Sequence, residues 1–268
     1  VADRVRRAEA RRRIEATIAS KAFRPVFQPV VDLSNGAVVG FEALTRFRDG
    51  CRPDLMFATA LDCGLGSELE LVTLEAALGD ARLLPPGIPL SLNVSPRLLV
   101  DVEKLRAVLG ERLRPIVLEI TEHDVIGAYA PLHEAMASLG PGVRLAVDDA
   151  GAGVANFSHL VELRPDFVKI DASLIRGVDT DISRAALVAG LVHFAAVAGS
   201  LVIAEGIETE GERARVAELG VRLGQGYLLG RPAAAQTWKA TLGPGATRAA
   251  ASRTRRWPRA SPIATPSN

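Results

Sequence analysis

The sequence predicts an α/β fold of the TIM-like (β/α)8 barrel type, with a first strand that runs antiparallel to its neighbour. Eight β-rich runs alternate with helical patterns, which is the element order of such a barrel. Only four residues, SNGA at 34–37, separate the first two runs. This connection is too short for a crossover helix, so a hairpin is expected there. The 268 residues, 48% of them hydrophobic, suffice for one full barrel core.

The strands and helices follow from hydrophobic periodicity. The predicted strands are 25–33, 38–47, 88–95, 116–121, 143–149, 167–171, 201–207 and 223–229. Apolar residues at spacings of three and four predict helices over 68–84, 96–110, 125–139, 181–198 and 208–219. Residues 185–204 have the length of a membrane span, but His193 and the Gly199-Ser200 break interrupt them. We therefore expect a buried helix followed by a buried strand, and no membrane span.

Charge separates an acidic body from two basic ends. Residues 1–24 carry eight Lys/Arg against three Asp/Glu, residues 245–268 carry five against none, and 19 against 28 remain between them. An acidic body argues against nucleic-acid binding and is compatible with a cation site. We predict an Arg-rich connector helix over 1–24, leading from an upstream sensory domain, then a barrel domain over 25–242. Residues 243–268 are predicted to be a disordered basic tail, solvated rather than bound to a membrane.

Polar residues stand near the carboxyl end of each predicted strand from the second onward. The rim at that end is where barrels of this class build active sites. Strand alternation places Glu119, Asp148 and Lys169 on inward-facing positions. The full set comprises Glu42, Arg46, Asn93, Glu119, Asp148, Asp149, Lys169, Glu205 and Gln225.

Five carboxylates and one amide at a dry barrel mouth would repel one another unless cations lay among them. Ligands that offer only oxygen suit Mg²⁺ or Mn²⁺ rather than zinc. Taken singly, a strand Glu is more often part of a rim salt bridge, and an Asp pair is more often a strand-ending turn. Lys169 is either a counter-ion or a Schiff-base lysine, and surrounding carboxylates disfavour the second because they keep it charged. Cys51 and Cys63 lack a metal or CxxC spacing, which fits reduced thiols and a cytoplasmic protein.

With these residues in view, the chain resembles the EAL domain family of cyclic di-GMP phosphodiesterases over about residues 20–240. The matching stretches occur in the family's order. They are FQPVVDL, EAL at 42–44 with the following Thr45-Arg46, SLNVSP, LEITE, AVDDAGAG, FVKID, IAEGIETE and GQGYLLGRP.

The resemblance implies roles for individual residues. Two Mg²⁺ or Mn²⁺ ions would be held by Glu42, Asn93, Glu119, Asp148, Asp149 and Glu205. Asp148 would bridge the two, and Glu205 would bind the second ion directly or through water. Lys169 would hold the attacking water, so that Lys169, Glu205 and Glu42 form the catalytic set. Arg46 would grip a substrate phosphate, and Gln28, Leu44 and Gln225 would contact the ligand. Glu122 and Glu208 are either acids that order loops around the site or helix N-terminal acids. Asp171 either orients Lys169 or the loop, or forms a simple turn.

The implied function is metal-dependent hydrolysis of cyclic di-GMP to linear pGpG, by a homodimer formed through the barrel. Two alternatives stay open: a catalytically weak or inactive cyclic di-GMP receptor, and a barrel that binds only protein. Two departures from the family pattern bear on this choice. Residues 150–156 read AGAGVAN where the family commonly has FGTGYSS, a loop that in the family helps to seat the second metal and couples dimerisation to activity. Residues 48–67, after the second strand, are shortened, which changes the expected lid.

Overall fold

The computed structural model describes residues 2–110, 114–121, 126–151 and 157–242. Within these ranges eight strands form one closed barrel in the order β1-β2-β3-β4-β5-β6-β7-β8. The strands are β1 (Phe23–Asp32), β2 (Ala37–Phe47), β3 (Leu90–Asn93), β4 (Ile116–Thr121), β5 (Val143–Ala150), β6 (Phe167–Ile170), β7 (Leu201–Ala204) and β8 (Leu223–Gly224).

Strand direction confirms the predicted irregular start of the barrel. β1 pairs antiparallel with β2 and also with β8, whereas all pairs from β2 through β8 are parallel. The tight turn over 33–36 allows this hairpin, and Gly36 takes the left-handed φ of 71° that the turn requires. Because β2 to β8 are parallel, their carboxyl ends meet at one rim.

Helices cover the outside of the barrel. They are α1 (Ala2–Ser20), α2 (Pro53–Asp62), α3 (Gly66–Ala81), α4 (Pro96–Val100), α5 (Val102–Leu109), α6 (Ala130–Leu139), α7 (Phe157–Leu163), α8 (Ala172–Ile175), α9 (Ile182–Ala198) and α10 (Glu210–Glu218). α9 ends at Gly199, whose φ of 81° stops the helix before β7, so the apolar run 185–204 is a helix and a strand as predicted. Among the described residues, no helix has both the length and the apolar character needed to cross a bilayer.

Several predicted boundaries differ for local reasons. The predicted helix over 96–110 is two helices, because the Asp101 side chain caps the start of α5 by accepting from Lys104 N. α6 begins at Ala130 rather than 125, with Pro131 in its first turn, where a missing N–H is harmless. The eighth strand pairs over two residues only. Residues 48–67 contain α2, whose buried side is only Met56 and Ala60.

Three apolar clusters support the site. The largest lies between the barrel and its helices. A second fills the barrel interior with Val30, Val117, Ala146, Phe167, Ile203 and Leu223, and so closes the barrel beneath the rim. In the third, fully buried Ile14 of α1 packs against Phe23 of β1 and Phe47 of β2. α1 is therefore packed onto the ends of the hairpin strands. The domain boundaries at 24 and 242 stay predictions.

Candidate metal and active site

Lys169 lies at the centre of the carboxyl rim, surrounded by carboxylates. Its Nζ is 2.7 Å from Glu119, 2.8 Å from Glu205, 3.0 Å from Asp148 and 3.5 Å from Glu42. The lysine side chain is only 1% exposed. One buried ammonium therefore faces four carboxylates: Glu42 lies in the middle of β2, Glu119 and Asp148 lie in β4 and β5, and Glu205 directly follows β7.

This crowding changes the protonation of the cluster. Burial lowers the pKa of Lys169, but the surrounding carboxylates, Asp148 and Glu119 first, outweigh it and hold that pKa well above its ordinary value. Burial raises the pKa of Glu119 to about 8, an effect that Lys169 opposes and Glu42 reinforces. Burial, reinforced by the Asp148 charge, also holds the pKa of Glu205 well above its ordinary value. The lysine is thus a fixed cation, as expected for a counter-ion, and one positive charge does not balance the carboxylates.

Two overlapping groups of carboxylates have ligand geometry. The carboxylate oxygens of Glu42, Glu119 and Asp148 lie within 4.8 Å of one another, and so do those of Asp148, Asp149 and Glu205. Asp148 belongs to both groups. The donor set is all oxygen, which fits a hard divalent cation such as Mg²⁺ or Mn²⁺.

Adjacent residues of a regular strand point to opposite faces, so Asp148 and Asp149 need a special backbone to serve one site. Asp149 has a φ of 59°, a left-handed conformation that is uncommon for a residue other than glycine. The β5–β6 register also shifts between Val147 and Ala150, which marks a bulge. The irregular backbone brings both carboxylates to the same cluster, and Asp149 N donates to Asp148 Oδ1 at 2.9 Å.

Asn93 joins the cluster from β3. Its Nδ2 donates to Glu42 Oε1 at 3.1 Å, so its amide oxygen is held beside the carboxylates. Two residues further on, Ser95 caps α4, and its N and Oγ both donate to Glu70 Oε2 of α3. Glu70 therefore anchors the turn that follows Asn93.

Gln28 and Gln225 close the side of the site next to β1. Gln225 Nε2 donates to Glu42 Oε2 at 2.6 Å and to Gln28 Oε1 at 3.1 Å. Gln28 Nε2 donates to Gly230 O. The buried Oε1 of Gln225 has no hydrogen-bond partner within the described ranges. A buried acceptor of this kind is suited to a donor on a bound ligand or an ordered water.

A cleft of about 300 Å³ opens above the carboxylates. It is lined by Gln28, Glu42, Leu44, Asp148, Ala172, Arg176, Glu205, Gly206, Glu208, Gln225, Gly226 and Tyr227. Arg176 and Tyr227 were not singled out by sequence reasoning. Tyr227 is 51% exposed and directly follows the Gln225-Gly226 pair. Its position in the GQGYLLGRP stretch is the sequence feature from which its place in the cleft could have been predicted. Gly226 has no room for a side chain, since a Cβ there would lie 2.1 Å from Ile207 O.

The loop that carries Glu205 and Glu208 is held by a buried carboxylate. Glu212 accepts hydrogen bonds from the backbone N–H groups of Gly177, Glu208 and Thr209. Burial raises the pKa of Glu212, but these hydrogen bonds outweigh it and leave that pKa below its ordinary value. The loop after β7 is thus tied to the segment before α9.

The remaining predicted residues lie around the cleft or apart from it. Glu208 pairs with Arg176 at 3.2 Å at the mouth of the cleft. Asp171 accepts from Ser173 N at 2.8 Å and caps α8, which matches the turn role. Arg46 does not line the cleft but a neighbouring pocket, where its Nη1 donates to Thr45 O. Glu122 and residues 152–156 of the substituted loop lie outside the described ranges.

The EAL domain family model matches residues 11–232, which is most of the chain. The chain belongs to the EAL domain family. Among curated relatives, it is 28% identical to the probable cyclic di-GMP phosphodiesterase PdeN of Escherichia coli, over 82% of this chain and 45% of PdeN. It is 31% identical to the cyclic di-GMP phosphodiesterase RocR of Pseudomonas aeruginosa, over 78% of this chain and 57% of RocR. The chain thus spans about half the length of these relatives.

A solved structure of an EAL protein shares the architecture. The manganese and cyclic di-GMP complex of Klebsiella pneumoniae BlrP1 superposes with a TM-score of 0.69 at 31% identity, over 80% of this chain and 56% of that chain. A relative of the same fold thus holds both a divalent cation and the cyclic dinucleotide.

Proposed function

We propose that this EAL domain is a metal-dependent phosphodiesterase that hydrolyses cyclic di-GMP to linear pGpG. One observation supports the proposal: carboxylates from β2, β4, β5 and the residue after β7 converge around buried Lys169, beside a cleft large enough for part of a ligand. The relatives named cyclic di-GMP phosphodiesterases support the same substrate.

The proposed metal ligands are the residues of the two carboxylate groups together with the Asn93 amide oxygen. They are Glu42, Asn93, Glu119, Asp148, Asp149 and Glu205. Five carboxylates and one lysine leave an excess of four negative charges when all are ionised, which two divalent cations would balance. Such cations would neutralise charge on the phosphoryl group and lower the pKa of a coordinated water.

The chain's own groups supply orientation and charge. Lys169 Nζ is a fixed cation whose three N–H donors face Glu119, Asp148 and Glu205. We propose that, where these carboxylates bind cations, one of the donors is released to the attacking water as negative charge develops. Glu205 is within 2.8 Å of that ammonium, so its carboxylate can orient the same water. Gln28, Leu44 and Gln225 line the cleft where the ligand would lie, and the unpartnered Gln225 Oε1 would accept from it.

The test is incubation of the purified chain with cyclic di-GMP and either Mg²⁺ or Mn²⁺, with products separated by chromatography. Glu42→Ala removes a carboxylate that two amides and Lys169 contact, and it also relieves like-charge repulsion, so the barrel is expected to stay folded. Hydrolysis should nearly vanish in this variant. Glu75→Ala is the matched control, because that carboxylate is exposed and, among the described residues, pairs only with exposed Lys21. It should retain full activity.

A folded wild-type chain that binds the dinucleotide and either metal yet forms no pGpG would be a receptor, and the proposal would be wrong. The homodimer, the upstream sensory domain and the cytoplasmic location are proposals of the same kind. Light scattering of the purified chain with and without cyclic di-GMP would test the dimer.

A further inference from the structure

We infer that Glu70 of α3 is a positioning residue for the proposed metal centre, an inference that rests on the proposed function and concerns the same site. Within the described ranges, Glu70 belongs to neither of the two carboxylate groups with ligand geometry. Its Oε2 accepts two hydrogen bonds from Ser95, one from the backbone N at 3.1 Å and one from Oγ at 2.9 Å. A carboxylate on a neighbouring helix thus holds the residue two positions after Asn93, and through it sets the affinity of the centre for divalent cations.

Asn93 depends on its neighbours in the chain for its position. It is the last residue of β3, it is exposed, and it lies opposite Glu119 in the β3–β4 pairing. Val94 N donates to Glu119 O at 2.9 Å and so continues this pairing by one hydrogen bond. The chain then leaves the sheet to enter α4, and the contact of Ser95 with Glu70 fixes it on that side. The Asn93 amide is therefore located between one attachment to β4 and one to α3.

The hydroxyl group of Ser95 is bound on both sides. Its Oγ donates to Glu70 and accepts from Leu98 N at 3.2 Å, the hydrogen bond that caps α4. Because a hydroxyl has a single hydrogen, the carboxylate sets its direction and leaves a lone pair for the helix N–H. Loss of the Glu70 carboxylate would release the N–H and the hydroxyl of Ser95 to water. The Asn93 amide would then occupy a wider range of positions relative to Glu42.

Glu70 itself stands on a rigid support. Leu69, directly before it, is fully buried in the cluster that contains Ile14 of α1, and Leu74 of the same helix is buried against the barrel. Residues that orient a metal ligand are effective when packing fixes them in turn. The Asn93 amide nitrogen donates to Glu42 Oε1, so the amide oxygen is the atom left to coordinate a cation. Packing of the helix layer thus reaches this oxygen through Glu70 and Ser95.

The experiment compares three substitutions of Glu70 with a matched control on the same helix. The control is Glu75→Ala, because Glu75 is exposed and pairs with exposed Lys21. Glu70→Ala removes both the charge and the acceptor, and Glu70→Gln removes the charge but keeps an oxygen that can accept from Ser95. Glu70→Asp keeps the charge but withdraws it by one methylene, and it replaces Glu70→Ala if that variant does not fold. The Gln and Asp variants therefore separate positioning from the long-range attraction between a carboxylate and a cation.

Binding of Mn²⁺ is measured by electron paramagnetic resonance without any substrate, folding by thermal unfolding in EDTA, and turnover of cyclic di-GMP as a function of Mn²⁺ concentration. Glu70→Ala and Glu70→Asp should weaken Mn²⁺ binding by about 10- to 100-fold, the loss typical when a residue that orients a ligand is removed. Glu70→Gln should retain most of the affinity. The Mn²⁺ concentration for half-maximal turnover should rise by the same factor in the Ala and Asp variants. Their kcat at saturating Mn²⁺ should fall much less, because the proposed ligands all remain.

The inference is overturned if Glu70→Ala and Glu70→Asp bind Mn²⁺ like Glu75→Ala, even with a lower Tm, since Glu70 would then support the fold only. It is also overturned if Glu70→Gln binds Mn²⁺ as weakly as Glu70→Ala, since charge rather than position would be responsible. A wild-type chain that binds Mn²⁺ with this dependence on Glu70 but forms no pGpG would contradict the proposed function alone. A wild-type chain that binds no Mn²⁺ would contradict both.

Discussion

Replacing Lys169 with Met tests how the carboxylate cluster is held together. The substitution keeps most of the side-chain volume but removes an ammonium that contacts four carboxylates at 2.7–3.5 Å. Removing one partner of a buried ion pair costs about 3–5 kcal/mol, because the remaining charge is buried without compensation. In a domain of this size 1 kcal/mol shifts Tm by about 2–4 °C. We therefore expect Tm to fall by about 6–20 °C in EDTA.

The size of the fall in Tm depends on pH and on bound metal ions. Because the pKa of Glu119 is raised to about 8, this carboxyl takes up a proton near neutral pH. Fewer negative charges then remain unpaired, so the fall in Tm should lie toward the lower end of the expected range. Divalent cations should restore much of the lost Tm, because they supply the missing positive charge. Turnover should fall by on the order of a hundredfold or more, the effect of removing a charge-stabilising group from a preorganised site, while cyclic di-GMP still binds.

The measurements are thermal unfolding by circular dichroism, with EDTA and with Mn²⁺, and chromatographic turnover. Lys21→Met is the matched control, because Lys21 pairs with Glu75 and both side chains are more than half exposed. An exposed pair of this kind contributes about 0–1 kcal/mol. The electrostatic account is refuted if Lys169→Met melts like the Lys21 control in EDTA. It is also refuted if Lys169→Met melts equally low with and without Mn²⁺, since the loss would then come from packing.

Three further predictions concern the scaffold. Glu212→Gln should destabilise the chain at pH 7 but much less near pH 3. The lowered pKa of Glu212 contributes stability above its unfolded pKa, and this contribution disappears as pH falls through the folded pKa. Urea unfolding at both pH values measures the difference. Gly226→Ala should cost about 1–3 kcal/mol and reduce activity, because its Cβ would collide with Ile207 O; an unchanged urea midpoint would contradict this. Gly190→Ala should instead stabilise by about 0.5–1 kcal/mol, since the Cβ meets nothing within 4 Å inside α9, and a lower midpoint would count against the reasoning.

Sequence alone determined the barrel and much of its rim. The four-residue connection forced the antiparallel hairpin, and strand alternation correctly placed Glu119, Asp148 and Lys169 toward the interior. These inferences depend on periodicity and connection length, which are local properties of the chain. Parallel strands then bring their carboxyl ends to one rim by topology, so convergence of the acids also followed.

Only the tertiary structure decided features that depend on neighbours distant in sequence. A register shift between Val30 and Val31 placed Arg24 opposite Arg46, whereas the connection alone would have placed Arg24 opposite Thr45. α2 has a two-residue buried side that becomes visible only once α1 and α3 are packed beside it. The turn of Asp149 toward the same cluster as Asp148 requires a left-handed φ and a bulge against β6, both of which break the alternation from which the other side chains were placed. Strand pairing and helix packing between separate segments determine these positions, and the local sequence pattern of one segment does not indicate them.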